Sequence, residues 1–209
     1  MTFIRLAGCN APELGLDCLR WCDTRESWDR NAGVELEISD VILRVRLPRM
    51  FITGGEPLLQ KEAVALLAAE ARGLGMRVHV ETNGSLPPPA AVTSTRTAPA
   101  APAGRLFDWV TVSPKPPGYV VAPGWKGLID ELKLVVDDQL TEVIVERLVA
   151  EHAGAVVSIQ PLWGTEASRA FAGDALEPDR AAMKRAMMMV LDHPEWRLSL
   201  QMHKFLGIK

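Results

Sequence analysis

Residues 49–81 read RMFITGGEPLLQKEAVALLAAEARGLGMRVHVE, and the fold can be built outward from them. Arg49–Thr53 is a short aliphatic and aromatic run, the composition of a strand. Leu58–Leu74 then places Ala, Leu and Glu at helical spacing and stops before Gly75, a residue suited to the left-handed position just past a helix. Arg77–Glu81 is strand again. Strand, helix and strand in direct succession make a βαβ unit.

The alternation recurs on both sides. Thr2–Ala7, Trp109–Ser113, Glu131–Val135, Val156–Gln160 and Arg197–Gln201 read as further strands. Asp40–Arg46, Leu140–His152 and Pro178–Asp192 read as further helices, with Ser39 or Asp40 as the cap of the first. Such a chain folds as an α/β protein around a parallel sheet, either curled into a barrel or doubly wound. Residues 87–104, PPPAAVTSTRTAPAAPAG, break the pattern. Their prolines remove backbone donors and fix φ, so they read as a loop insertion. Strand-like WVTVS follows soon after, which makes residues 1–209 one domain.

A net charge of -3 gives no electrostatic basis for wrapping nucleic acid or lying on an anionic membrane. No apolar run approaches the roughly 18 residues of a membrane helix. The start, MTFIRLAGC, lacks a basic stretch followed by an apolar run, so it does not read as a signal peptide. The expectation is a cytosolic protein with neither nucleic acid nor membrane as partner. All 3 cysteines fall within the first 22 residues, a clustering that a shared ligand explains better than a disulfide in a reducing compartment.

Eight residues separate Cys9 from Cys18, and three separate Cys18 from Cys22. Three thiolates on a 4Fe–4S cube leave one iron open to a chelating ligand. Zinc is the competing reading, but a structural zinc site is closed by four ligands. The histidines that could complete it (His79, His152, His193 and His203) are all distant in sequence. The strand ends run into GCN, TGGEP, ETNG, SPK, QPLW and QMHK, and in parallel α/β folds these ends share the face on which sites are built. Gly54 and Gly55 would let a ligand approach the backbone, and Glu56 would offer a carboxylate to an ammonium group. Alone, GGEP is equally an ordinary strand-to-helix turn. Glu81, Thr82 and Asn83 end a strand before Gly84 and read either as site residues or as a turn capped by Asn83. Lys115, after Ser113 and Pro114, is either the partner of a carboxylate or a solvated lysine. Gln160 and Pro161 end the sixth strand, where the glutamine could bond a ribose or amino-acid group. Met183 and the run Met187–Met189 read as packing residues of a helix.

The cysteine loop together with GGEP, ETNG, SPK, QPL and QMHK resembles the 7-carboxy-7-deazaguanine synthases, a family of radical S-adenosylmethionine (SAM) enzymes. The segments FIRLAGCN, WCDT and HKFLGIK narrow the resemblance to this branch, which runs in order from Phe3 to the C-terminus. It implies an incomplete (β/α) barrel, usually a homodimer. It also implies a 4Fe–4S cluster on Cys9, Cys18 and Cys22, with SAM chelated to the open iron and cleaved to a 5′-deoxyadenosyl radical. That radical would start the conversion of 6-carboxy-5,6,7,8-tetrahydropterin to 7-carboxy-7-deazaguanine, with ring contraction and ammonia loss, on the way to queuosine and other 7-deazapurines. Magnesium assists, and a flavodoxin- or ferredoxin-type donor supplies the electron.

Carried over motif by motif, Thr24 matches the magnesium ligand. Gly55, Glu56, Ser113, Pro114, Lys115, Gln160, Pro161, Leu162 and Trp163 match positions around SAM. Arg5, Thr53, Glu81, His203 and the terminal Lys209 match substrate contacts. The chain departs from the family pattern in two ways. Leu19, Arg20 and Trp21 put three residues where the family has two, so the loop is expected to bulge. Met1 also falls inside what would be the family's second strand, so the first strand and its substrate-binding turn are expected to be lacking. The other readings of the motifs are another small radical SAM enzyme, such as a glycyl-radical activase, or a non-catalytic iron–sulfur or zinc module.

Overall fold

The computed structural model describes residues 1–90, 105–163 and 179–206. Seven strands form one sheet: β1 (Thr2–Leu6), β2 (Arg49–Gly54), β3 (Arg77–Thr82), β4 (Trp109–Val112), β5 (Glu131–Val136), β6 (Val156–Pro161) and β7 (Arg197–Leu198). Every neighbouring pair is parallel, and the strands lie in the order of the sequence. A doubly wound sheet reverses its strand order at a switch point, and this one never does. Of the two architectures that periodicity leaves open, the order selects the singly wound one, as the resemblance implied, with β1 and β7 at the edges of the sheet among the described residues.

The helices are α1 (Ile38–Arg44), α2 (Lys61–Gly73), α3 (Glu142–Glu151), α4 (Arg180–Asp192) and α5 (Met202–Phe205). Helix α1 begins before its expected caps, at Glu37, which makes no side-chain cap. Ser39 and Asp40 lie inside the first turn, where Asp40 suits the helix dipole. Helix α2 is preceded by a 3-10 turn at Pro57–Gln60, and Gly75 follows it at φ +79, as expected of a helix-ending glycine. Of the methionine run on α4, only Met189 is buried. Residues 91–104 of the insertion and the expected helix start at Pro178 lie outside the described residues.

The two faces of the sheet differ. Met50, Ile52, Val78, Val80, Val110, Val112, Leu132, Leu134, Val157 and Ile159 alternate along the strands and pack with α2, α3 and α4 into the hydrophobic core. Burying such side chains is worth about 1.5–3 kcal/mol each, so this helix-covered face holds the domain together. The intervening positions carry Arg5, Phe51, Thr53, His79, Glu81, Thr111, Lys133, Ser158 and Gln160. Strand register sets Phe3, Phe51, His79 and Trp109 side by side across four strands. Their rings touch in sequence at 4.9, 4.4 and 6.1 Å. No helix among the described residues is long and apolar enough to cross a membrane.

Candidate active site

The polar face opens into a cavity of about 1300 Å³. Residues of β1, β2, β3, β5 and β6 all line it, which requires the sheet to curl around it. Its rim comes from the loop after β1 and from the segment after β7.

The loop after β1 turns at Gly8 (φ +103) and is closed by its own ends. Gly8 N donates to Ser27 O at 2.8 Å and Cys9 N to Trp28 O at 3.2 Å. All three cysteines are free thiols lining the cavity, with Cys18 buried and the other two half-buried. The expected bulge takes the form of a 3-10 turn at Asp17–Arg20, closed by Trp21 N on Cys18 O at 3.1 Å. Cys22 Sγ accepts from Trp28 Nε1 at 3.2 Å and lies 3.5 Å from Thr24 Oγ1. Burial raises the Cys9 thiol and pushes Cys18 up to about 11, with Lys115 partly offsetting both. Cys9 and Cys18 thus keep their protons in the bare site, and a metal that takes their thiolates must displace them. Among the described residues no three His, Cys, Asp or Glu side chains are grouped to hold a single metal ion. A donor set of three soft thiols around one cavity suits a multi-iron cluster.

The glycines of GGEP serve the protein's own backbone. A Cβ on Gly54 would lie 2.2 Å from Leu6 O, and one on Gly55 2.3 Å from Gly8 O and 2.7 Å from Ser27 O. The absent side chains let the end of β2 press against the cysteine loop, while both glycines still reach the cavity wall. Glu56 is 1% exposed and points into the protein. Its carboxylate accepts from Leu58 N at 3.0 Å, Thr82 Oγ1 at 2.7 Å and Asn83 N at 2.7 Å. Burial raises its pKa against the pull of these bonds. Glu56 therefore ties the turn after β2 to the end of β3. Asn83 caps a local turn through Ser85 N and also donates to Asn10 Oδ1 at 3.0 Å, which ties that turn to the cysteine loop.

Lys115 donates to Ser113 Oγ at 2.7 Å and stands 5.6 Å over the Trp21 ring. It makes no salt bridge among the described residues, and burial lowers its pKa. Glu81 pairs with Lys133 inside the cavity. Burial alone would raise Glu81, but the charge and hydrogen bond of Lys133 outweigh it and hold the carboxyl below its ordinary value. Asp23 is likewise held low, burial being outweighed by Lys204, and it also accepts from Gln201 Nε2 at 3.0 Å.

Of the residues singled out from sequence, Arg5, Cys9, Cys18, Cys22, Thr24, Thr53, Gly55, Glu81, Ser113, Lys115, Gln160 and His203 all line this cavity. Glu56, Pro114, Pro161, Leu162 and Trp163 do not. Trp163 is buried edge-on against Phe205 at 4.8 Å, and its indole N–H has no partner among the described residues. Lys209 lies outside the described residues. Sequence reading passed over Trp21, Asp23, Trp28 and Lys133 as site residues. Lys133 had a signal, a cation inside the strand ELKLVV at a position facing away from the apolar core.

A pH-resolved comparison tests the Glu81–Lys133 pair. A carboxyl held low contributes stability above its ordinary value of 4.5, and that contribution is lost as pH falls through the folded value. Lys133→Met should cost about 2 kcal/mol at neutral pH, the scale of a charge-assisted bond. The gap from wild type should close in acid, as read by denaturant unfolding of the metal-free chain. A gap independent of pH would contradict the pairing.

The chain matches no family model. It is 34% identical over 224 residues to the 7-carboxy-7-deazaguanine synthase of Bradyrhizobium diazoefficiens, covering 99% of this chain and 89% of that one. It is 32% identical over 215 residues to the synthase of Methanospirillum hungatei, covering 99% and 76%. The Synechocystis synthase is 29% identical over 217 residues, covering 99% and 83%. The crystal structure of QueE from Escherichia coli superposes with a TM-score of 0.60 at 23% identity, covering 95% of this chain and 84% of that one, which shows the shared partial-barrel fold. Identity of 32% and 34% along nearly its whole length agrees with the motif resemblance: the chain belongs to the 7-carboxy-7-deazaguanine synthase family of radical SAM enzymes.

Proposed function

We propose that this chain is a lyase converting 6-carboxy-5,6,7,8-tetrahydropterin to 7-carboxy-7-deazaguanine, with a 4Fe–4S cluster, SAM and magnesium as cofactors. The observation that carries the reading is the meeting of three thiols with Arg5, Thr53, Glu81 and His203 around one cavity. Cys9, Cys18 and Cys22 would hold the cluster. Bound there, cluster and SAM supply a carbon radical able to abstract hydrogen from the substrate.

The chain's own residues do the rest. Arg5 presents a planar fork suited to the pterin carboxylate. Glu81, kept ionised by Lys133, offers an acceptor in the same row, two strands along the sheet from Arg5. Lys115 and Ser113 form one polar patch beside the thiols for the amino-acid end of SAM, with Gly55 and Gln160 as further contacts. Glu56 acts through the turn it builds, and Pro114, Pro161, Leu162 and Trp163 act from behind the wall. Thr24 offers a hydroxyl to magnesium, a hard cation that takes oxygen ligands. His203 and the terminal carboxylate of Lys209 complete the substrate set from the C-terminal side. Phe3 and Phe51 of the aromatic row add apolar surface to the wall beside Arg5 and Thr53. The reading also takes the active form to be a cytoplasmic homodimer served by a flavodoxin- or ferredoxin-type donor.

The test is anaerobic reconstitution, reduction and incubation with SAM, magnesium and the pterin, with mass-spectrometric detection of 7-carboxy-7-deazaguanine. Protein that cleaves SAM but leaves the pterin intact would point instead to another radical SAM activity. Protein that takes up zinc but no iron would point to a non-catalytic module. Thr24→Ala should raise the magnesium needed for half-maximal turnover about tenfold or more with iron content unchanged. Loss of iron in that variant would contradict its role.

A further inference from the structure

The cysteine loop is held from outside its own motif. Near its start, the buried Asn10 donates to Ser85 Oγ at 2.9 Å and accepts from Asn83 Nδ2 at 3.0 Å. Its later part is gripped by three consecutive residues between β5 and α3. Gln139 Nε2 donates to Asp17 Oδ2 at 2.6 Å, Arg20 spans both oxygens of Asp138 at 3.1 and 3.4 Å, and Trp21 Nε1 donates to Asp137 Oδ2 at 3.2 Å. The gripped segment is the one with the additional residue between Cys18 and Cys22.

These contacts are unequal. The Arg20–Asp138 pair is exposed and competes with water, so it contributes little. Asp137 is 1% exposed. Its Oδ1 accepts from Tyr119 Oη at 2.7 Å and from Gln139 N and Leu140 N, both at 3.0 Å. The amides of Gln139 and Leu140 fix the carboxylate plane with or without the tyrosine donor, and the second oxygen is thereby presented to Trp21. Trp21 in turn closes the 3-10 turn on Cys18 O, so a fixed indole fixes the backbone that directs Cys18 and Cys22.

We propose that Asp137 is the positioning residue of the Cys18–Cys22 segment, acting through Trp21 to stabilise the turn that absorbs the additional residue and aims both thiols into the cavity. The inference rests on the cluster reading for its purpose, but the geometry it invokes belongs to the metal-free chain and can be tested there.

The experiment compares Trp21→Phe, Asp137→Asn and their double variant, with Tyr119→Phe as a control that removes a bond to the same carboxylate without touching the loop. In the metal-free protein, the alkylation rate of the buried Cys18, read by mass spectrometry, should rise about tenfold in each single variant, the effect expected when one charge-assisted bond is lost from a local opening equilibrium. The double variant should react no faster than the singles, because both remove the same interaction. Tyr119→Phe should stay within about twofold of wild type. After anaerobic reconstitution, the change that SAM causes in the electron paramagnetic resonance spectrum of the reduced cluster should weaken in the first three variants and persist in the control. An unchanged Cys18 rate in Trp21→Phe, additive single effects, or a control as reactive as the others would each overturn the proposal. If Asp137→Asn does not fold, Trp21→Phe against Tyr119→Phe decides it alone. A wild-type chain that takes up no iron would defeat the cluster reading and leave the thiol comparison standing.

Discussion

Cys18→Ala is expected to lose iron uptake and SAM cleavage together, down to background. Three thiols line the cavity, and among the described residues no other group of His, Cys, Asp or Glu gathers to replace one. A cube held by two thiolates has no third anchor, so the defect should appear in the visible absorbance of the reconstituted protein before any turnover is measured. Cys18 is the informative choice because it is the most buried of the three and carries the unusual spacing. Its thiol is protonated in the bare chain, so Ala in its place leaves a small apolar void and little cost to folding. Metal-free Cys18→Ala should therefore melt close to wild type while failing to load. Retained iron and retained SAM cleavage would mean that the cluster uses a different ligand set.

Glu56→Ala should act in the opposite manner, on stability first. Removing the buried carboxylate strands the Thr82 hydroxyl and the amides of Leu58 and Asn83, three donors where water has poor access. At about 1–3 kcal/mol for each unsatisfied group, with partial relaxation, the loss is about 4 kcal/mol. For a chain of this size that corresponds to a fall of roughly 10 °C in melting temperature. Glu56→Gln keeps one carbonyl acceptor but turns an amide donor toward donors, so it should recover only part of the loss. Thermal unfolding of the metal-free proteins checks both, and a Glu56→Ala variant within about 1 kcal/mol of wild type would refute the tie between the second and third strand ends.

The seven strands were legible because aliphatic runs bounded by glycine and polar residues have few other solutions. Six of the seven end within about one residue of expectation. The seventh is short: Ser199 N still bonds Ile159 O, but Met202 N already turns back to Leu200 O, and an edge strand has no neighbour to extend it. Periodicity alone did not decide whether the sheet curls or winds twice, because both architectures use the same βαβ units and differ only in strand order; the resemblance implied the incomplete barrel, and the strand order agrees with it. Glu56 was misread for a related reason. Its partners Thr82 and Asn83 come from the following strand, and a local motif does not reveal a long-range acceptor already in use. Gly54 and Gly55 read as room for a ligand, and a local motif could not show that they also make room for Leu6, Gly8 and Ser27. The resemblance supplied Arg5, which composition and spacing alone would have passed over, and gave Thr53 and His203, already marked by their place at strand ends, a role toward substrate. Lys133 stayed hidden because neither route looks inside a strand for a cation.

The alternating faces of the sheet give the protein a parity rule for change. Along β2, β3 and β5, even-numbered side chains such as Met50, Val80 and Leu132 build the interior, whereas odd-numbered neighbours such as Thr53, Glu81 and Lys133 meet whatever enters the cavity. Selection can therefore retune the odd set for a new guest molecule while the even set keeps the scaffold intact. Two adjacent codons in one strand answer to different pressures, and a single barrel can diversify its chemistry without renegotiating its architecture.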